Sequence, residues 1–164
     1  MTTALAGHTA PVFTLRDTHG KQFSLADALA KGPVVVAFFK VSCPVCQFTL
    51  PFLERLHKAH TGDAVSFLGI SQDNAADTNE FLAEYGITFP SLVDDDGYPV
   101  SNAYGLTNVP TVLLIAPGGK VRVSCLGFSK ADLETIAKEI AEHAGKKTAA
   151  VFLPGEAIPD YKPG

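Results

Sequence analysis

Cys43 and Cys46 stand with two residues between them in the stretch Phe38-Phe39-Lys40-Val41-Ser42-Cys43-Pro44-Val45-Cys46, directly after an apolar run. Two thiols at that spacing can close a small disulfide ring and open it again. A helix N-terminus favours negative charge, so a thiol placed there gives up its proton more readily. The pattern therefore reads as reversible redox chemistry rather than as a pair of inert core cysteines. Zinc is the competing chemistry for paired cysteines, but a structural site takes four ligands. This chain has one CxxC, with no second one and no HxxxH beside it. The five histidines, His8, His19, His57, His60 and His143, fall in turns and helix ends without ligand spacing. Asp94-Asp95-Asp96 reads as an acidic turn, because a calcium-binding EF-hand loop needs twelve residues ending in Glu. The reading calls for no metal and no cofactor.

The elements that must position the pair follow from periodicity and punctuation. Val34 to Phe39 is β-branched and aromatic without alternation, as in a central strand buried on both faces. A helix is expected from about Cys43 to His60, with Phe48, Phe52, Leu53 and Leu56 at helical spacing and Pro51 as a kink. Pro44 lacks an N–H and suits a first helical turn. Ala64 to Ser71 predicts a second buried strand. Asp73 or Asn74 can cap a helix that carries Phe81, Leu82 and Tyr85 and ends at Gly86. Ser91 to Val93 is a short strand, and a short helix is expected around Val100 to Tyr104. Thr111 to Ala116 and Lys120 to Leu126 form a hairpin about Pro117-Gly118-Gly119. Ser129 caps an amphipathic helix from Lys130 to His143. Upstream, Val12 to Leu15 and Lys21 to Phe23 flank a turn at Asp17-Thr18-His19-Gly20, and Ser24 caps a short helix ending before Gly32-Pro33. The order predicts an α/β fold: a mixed central sheet flanked by helices, with an N-terminal β-hairpin extension.

The 164 residues suffice for one domain with a full core. The expected division is an N-terminal extension over 1–10, a domain over 11–144, and a Pro/Gly-containing tail over 145–164, extended, docked or disordered rather than a second domain. A net charge of −4 with scattered lysines and arginines argues against a nucleic-acid partner. The longest apolar run, Val34 to Phe39, is too short for a membrane span. Met1 to Ala10 has neither the basic nor the apolar segment of a secretory signal, so the simplest expectation is a cytoplasmic protein.

Taken together, these segments resemble the thioredoxin superfamily, and within it the redoxin branch of TlpA/ResA-like thiol-disulfide oxidoreductases and AhpC/TSA-like peroxiredoxins. Three stretches carry the resemblance, which covers about Pro11 to His143. They are Cys43-Pro44-Val45-Cys46 with Pro51 after it; Glu84-Tyr85-Gly86-Ile87-Thr88-Phe89-Pro90 leading to Val93-Asp94-Asp95-Asp96-Gly97; and Ala103-Tyr104-Gly105-Leu106 through Val109-Pro110-Thr111 to Pro117-Gly118-Gly119-Lys120. The resemblance implies a thioredoxin-like fold. It implies Cys43 as nucleophile and Cys46 as the buried resolving thiol. It also implies a cis-proline at Pro110, with Val109 and Pro44 beside an incoming substrate. The partners implied are protein or small-molecule disulfides and thiols, together with a thiol electron donor.

The departures from that family pattern concern proton handling. Ser42 stands where thioredoxins place a tryptophan, and the chain has none. Ala37 stands where thioredoxin carries a buried acid, and Thr49 where the TlpA/ResA-like pattern has Glu. Deprotonation of Cys46 is thus expected to rely on water or a nearby polar group. Lys40 reads as a solvated strand-end lysine, and Cys125, two and four residues after Val123 and Val121, as a core thiol. The leading function is a thiol-disulfide oxidoreductase. The alternatives are a hydroperoxide-reducing thiol peroxidase and a non-catalytic binding module. Against the peroxidase, Lys40 holds the position three before Cys43, and Cys43 that before Cys46, where peroxiredoxins carry Thr or Ser.

Overall fold

The structure is a computed structural model that describes residues 4–164; residues 1–3 of the expected N-terminal extension lie outside it. The strand read as central is central. Val34–Phe39 (β3) is buried at every position. It pairs in parallel with Ser66–Ser71 (β4) and antiparallel with Thr111–Ile115 (β6). Ser91–Val93 (β5) and Val121–Leu126 (β7) complete a five-stranded sheet of order β5-β4-β3-β6-β7. Thr14–Arg16 (β1) and Gln22–Ser24 (β2) form the N-terminal hairpin.

Strand periodicity divides the core between the two faces. Val35, Ala37 and Phe39 face one side with Val112 and Leu114, where Pro44–Ala59 (α2) packs through Cys46, Leu50 and Leu53. Lys130–Ala144 (α5) adds Leu133, Ile136 and Ile140 there. Val34, Val36 and Phe38 face the other side with Leu25 of Leu25–Leu29 (α1) and Val100 of Pro99–Ala103 (α4). A register shift opposite Leu114/Ile115 explains why Val121 joins the second cluster while Val123 and Cys125 join the first.

Capping fixes where the helices begin and end. The Asn74 side chain accepts from the Asp77 amide at 2.8 Å, starting Ala75–Tyr85 (α3), which Gly86 closes in the left-handed conformation. Ser129 caps α5 through the Asp132 amide. Of the two candidates for the α3 cap, Asn74 takes the role, and the Asp73 side chain is used elsewhere.

Asp94 is not a solvated turn acid. It is 1% exposed, and its carboxylate accepts from the Val100 and Ser101 amides at 3.2 and 2.8 Å and from the Ser101 hydroxyl at 2.8 Å. Asp95 and Asp96 are exposed. Glu54, on α2, plays a similar part for the turn after α3, accepting from the amides of Thr88 and Phe89.

The 145–164 segment is docked. Val151 is buried, and the Phe152 ring packs edge-on to Phe52 and Phe128. Arg55 donates to Val151 O and pairs with the Glu156 carboxylate, whose pKa falls to about 2 through that contact and the Leu153 amide. Tyr161–Lys162 (β9) pairs antiparallel with Phe128–Ser129 (β8). Among the described residues, no helix is long and apolar enough to cross a membrane.

Candidate active site

The site forms where β3 hands over to α2. Strand β3 ends at Phe39, and the chain turns through Lys40 to Ser42 so that Cys43 becomes the N-cap of α2, with Pro44 in the first turn. The Cys43 sulfur takes the place of a capping oxygen: it accepts from the Cys46 amide at 3.1 Å. The same sulfur donates to Val109 O at 3.5 Å, across 66 positions of sequence. Val109 precedes a cis peptide bond to Pro110. The Thr111 hydroxyl holds this loop by donating to Asn108 O at 2.7 Å. The structure thus brings Cys43, Cys46, Pro44, Val109 and Pro110 to one place, with all three cysteines as free thiols.

The two thiols differ in environment. Cys43 is half-buried between exposed Ser42 and exposed Pro44. Cys46, one turn along, is 0% exposed. Burial is the main cause that pushes the Cys46 thiol pKa well above its ordinary value, and its hydrogen bond with Cys43 adds to the shift. A hydrogen bond from the Lys40 main chain opposes it, and the Asp73 charge reinforces it. Lys40 is exposed, and its carbonyl accepts from the Cys43 amide at 3.3 Å.

Sequence reasoning missed Asp73 and Gln47. The Asp73 carboxylate accepts from the Val41 amide at 2.8 Å, and Gln47 Nε2 donates to Val41 O at 2.9 Å. The Val41 residue that leads into the pair is therefore held at both its amide and its carbonyl. Asp73 lies just after β4, beside the end of β3, so a carboxylate charge reaches Cys46 from that loop, as the least of the causes of its shift, although Ala37 and Thr49 are neutral. The Thr49 hydroxyl is spent on its own helix, donating to Val45 O at 2.7 Å. Only the parallel β3–β4 pairing, which carries Gln72 N to Phe39 O, could have signalled Asp73 in advance.

Cys125 is buried, its Sγ donates to Gly127 O at 3.5 Å, and burial pushes its pKa up to about 12. The thiolate is the nucleophile, so access and pKa together set reactivity. Iodoacetamide at pH 8 is expected to add one carbamidomethyl group to the native reduced protein, at Cys43, with Cys46 and Cys125 reacting only after denaturation. Peptide mapping by mass spectrometry checks this; comparable native labelling of Cys125 would refute it.

Residues 6–124 match the model of the AhpC/TSA family. The chain belongs to that family. Among its curated relatives is the thiol-disulfide oxidoreductase ResA of Geobacillus thermodenitrificans, 31% identical over 135 residues that cover 81% of this chain and 76% of that protein. The thioredoxin domain of a thiol-disulfide oxidoreductase from Bacteroides vulgatus superposes with a TM-score of 0.73 over 84% of this chain and 98% of that one, at 24% identity. The peroxidoxin BcpB of Mycobacterium tuberculosis superposes with a TM-score of 0.69 over 87% and 97%, at 23% identity. These likenesses establish the thioredoxin-like fold for this AhpC/TSA chain, as its sheet order and N-terminal hairpin do independently.

Proposed function

We propose that this AhpC/TSA protein is a thiol-disulfide oxidoreductase that works through a Cys43–Cys46 dithiol. The observation that carries the reading is the contrast between a half-exposed Cys43 at the start of α2 and a fully buried Cys46 whose amide already reaches the Cys43 sulfur. The Cys43 thiolate attacks one sulfur of a substrate disulfide. That S–S bond breaks, a Cys43–substrate disulfide forms, and the first substrate thiolate leaves and takes up a proton. Cys46 then gives up its proton, which ends on the departing second substrate sulfur, and its thiolate attacks the Cys43 sulfur. The Cys43–Cys46 disulfide forms and the second substrate thiolate departs. Two electrons pass from the pair to the substrate, and a thiol donor restores the dithiol. In a reducing compartment the protein acts as a reductant.

In this reading Pro44 and the Val109–Pro110 loop form the walls beside the reacting sulfur, because they are the groups that flank Cys43. Burial favours the thiol form of Cys46, which keeps it from competing with Cys43 for the substrate.

The test is a paired assay on pre-reduced protein: reduction of glutathione disulfide against consumption of hydrogen peroxide. Disulfide reduction with formation of one Cys43–Cys46 disulfide, and slow peroxide turnover, is the expected outcome. Fast peroxide turnover without disulfide reduction would replace this reading with a thiol peroxidase, in which Cys43 becomes a sulfenic acid that Cys46 condenses with.

A further inference from the structure

An extended polypeptide commonly binds by adding a strand to an open sheet edge through its main-chain groups. In this chain one short edge, that of β8, is already taken by the chain itself. Strand β9 lies along β8, with Lys162 opposite Phe128 and Tyr161 opposite Ser129, and the Lys130 amide donates to Asp160 O at 2.9 Å. Past β9 the chain closes on the loop that touches the nucleophile. A Cβ on Gly164 would come within 2.5 Å of Val109 O, the same oxygen that receives the Cys43 thiol.

Gly127 forms the other side of this seat. It has φ +74°, and a Cβ there would fall 2.4 Å from Lys162 O and 2.9 Å from Gly164 N. Both contacts are glycine to main chain, so the segment lies closer to the site than any side chain would permit. The Lys162 ammonium sits 5.2 Å from the centroid of Phe48, two residues after Cys46. Behind it, Val151, Phe152 and the Arg55–Glu156 pair anchor the segment independently of β9.

We propose that residues 160–164 occupy, from within the chain, the strip beside Cys43 where an extended polypeptide disulfide would lie, and that they restrict the site to low-molecular-weight disulfides. This rests on the exchange reaction proposed above and adds which substrates reach it. A small disulfide needs only the half-exposed Cys43 sulfur. A polypeptide also needs main-chain partners, and must compete with a tethered segment present at an effective concentration on the order of millimolar. The exchange itself is the same for both: one S–S bond breaks, the Cys43–Cys46 bond forms, and two electrons leave the pair.

The test compares pre-reduced full chain, a variant lacking residues 161–164, and Gly164→Ala, whose added methyl must lift the segment from Val109 O. Single-turnover rates are measured on glutathione disulfide and on insulin. The full chain is expected to reduce glutathione disulfide and to act on insulin at least about tenfold more slowly; both variants raise the insulin rate about tenfold and leave the glutathione rate within about twofold. Gly164→Ala keeps the result interpretable if the shortened chain folds poorly. An unchanged ratio of the two rates in Gly164→Ala overturns the proposal while leaving the exchange reaction standing. A full chain that reduces neither substrate and matches Cys43→Ser overturns the oxidoreductase reading, and this proposal with it.

Discussion

Cys43→Ser protein is expected to fold as the parent does and to lose disulfide reduction by about a thousandfold or more, a loss of ~4 kcal/mol in transition-state stabilisation. Both halves follow from the N-cap position. Serine is among the preferred capping residues, and its hydroxyl can accept from the Cys46 amide as the sulfur does at 3.1 Å. A hydroxyl does not supply the thiolate that opens a disulfide. Cys46→Ser should behave differently. Its first step is intact, so a covalent Cys43–substrate adduct accumulates and is seen as added mass that dithiothreitol removes. The two variants divide the exchange into its steps. An active Cys43→Ser protein, or a Cys46→Ser protein that never forms the adduct, is incompatible with the assigned order of attack.

A large stability effect away from the cysteines is expected at Asp94. Its buried carboxylate receives three hydrogen bonds, from the Val100 amide, the Ser101 amide and the Ser101 hydroxyl. Its own amide donates to Ser71 O at 2.8 Å, which ties the start of α4 to the end of β4. Alanine leaves three donors unsatisfied away from water. A lost hydrogen bond to a charged group costs about 1.5–3 kcal/mol and the contributions are not additive, so about 3 kcal/mol is expected for Asp94→Ala. For a chain of this size that lowers Tm by roughly 6–12 °C. Asp94→Asn, which keeps one acceptor oxygen but turns a donor toward its neighbours, should fall between. Asp95→Ala and Asp96→Ala, both at exposed positions, should stay within about 0.5 kcal/mol. Equal losses at all three aspartates in a thermal melt would contradict this account.

Those three adjacent aspartates show where sequence ceases to discriminate. All three carry turn chemistry, and only packing decides that one of them turns inward. The parts set by local rules were legible: the six-residue apolar β3, the α2 face through Leu53 and Leu56, the Ser129 cap, and the closing Gly86. Boundaries moved by a residue or two, as with β4, expected from Ala64 and observed from Ser66. The Cys43–Cys46 pair was legible from spacing, and the approach of Val109–Pro110 to it only through resemblance, since nothing local links positions 66 apart. Asp73 and Asn74 are equivalent cap candidates in sequence, and only the fold gives the cap to Asn74 and turns Asp73 to the Val41 amide. Strands β8 and β9 are two residues each, too short for any alternation to register.

The position of β3 between β4 and β6 has a consequence for how the chain is made. Its β4 neighbour follows one helix later, but β6 is supplied only after α4. During synthesis the most apolar strand therefore waits with one edge open, and open apolar edges invite intermolecular pairing. Over the same interval Cys43 lacks its Val109 contact and Cys125 has not yet been built. Both thiols of the pair thus emerge from the ribosome before the loop that shelters them, and until Cys125 is made each has only the other as an intrachain partner.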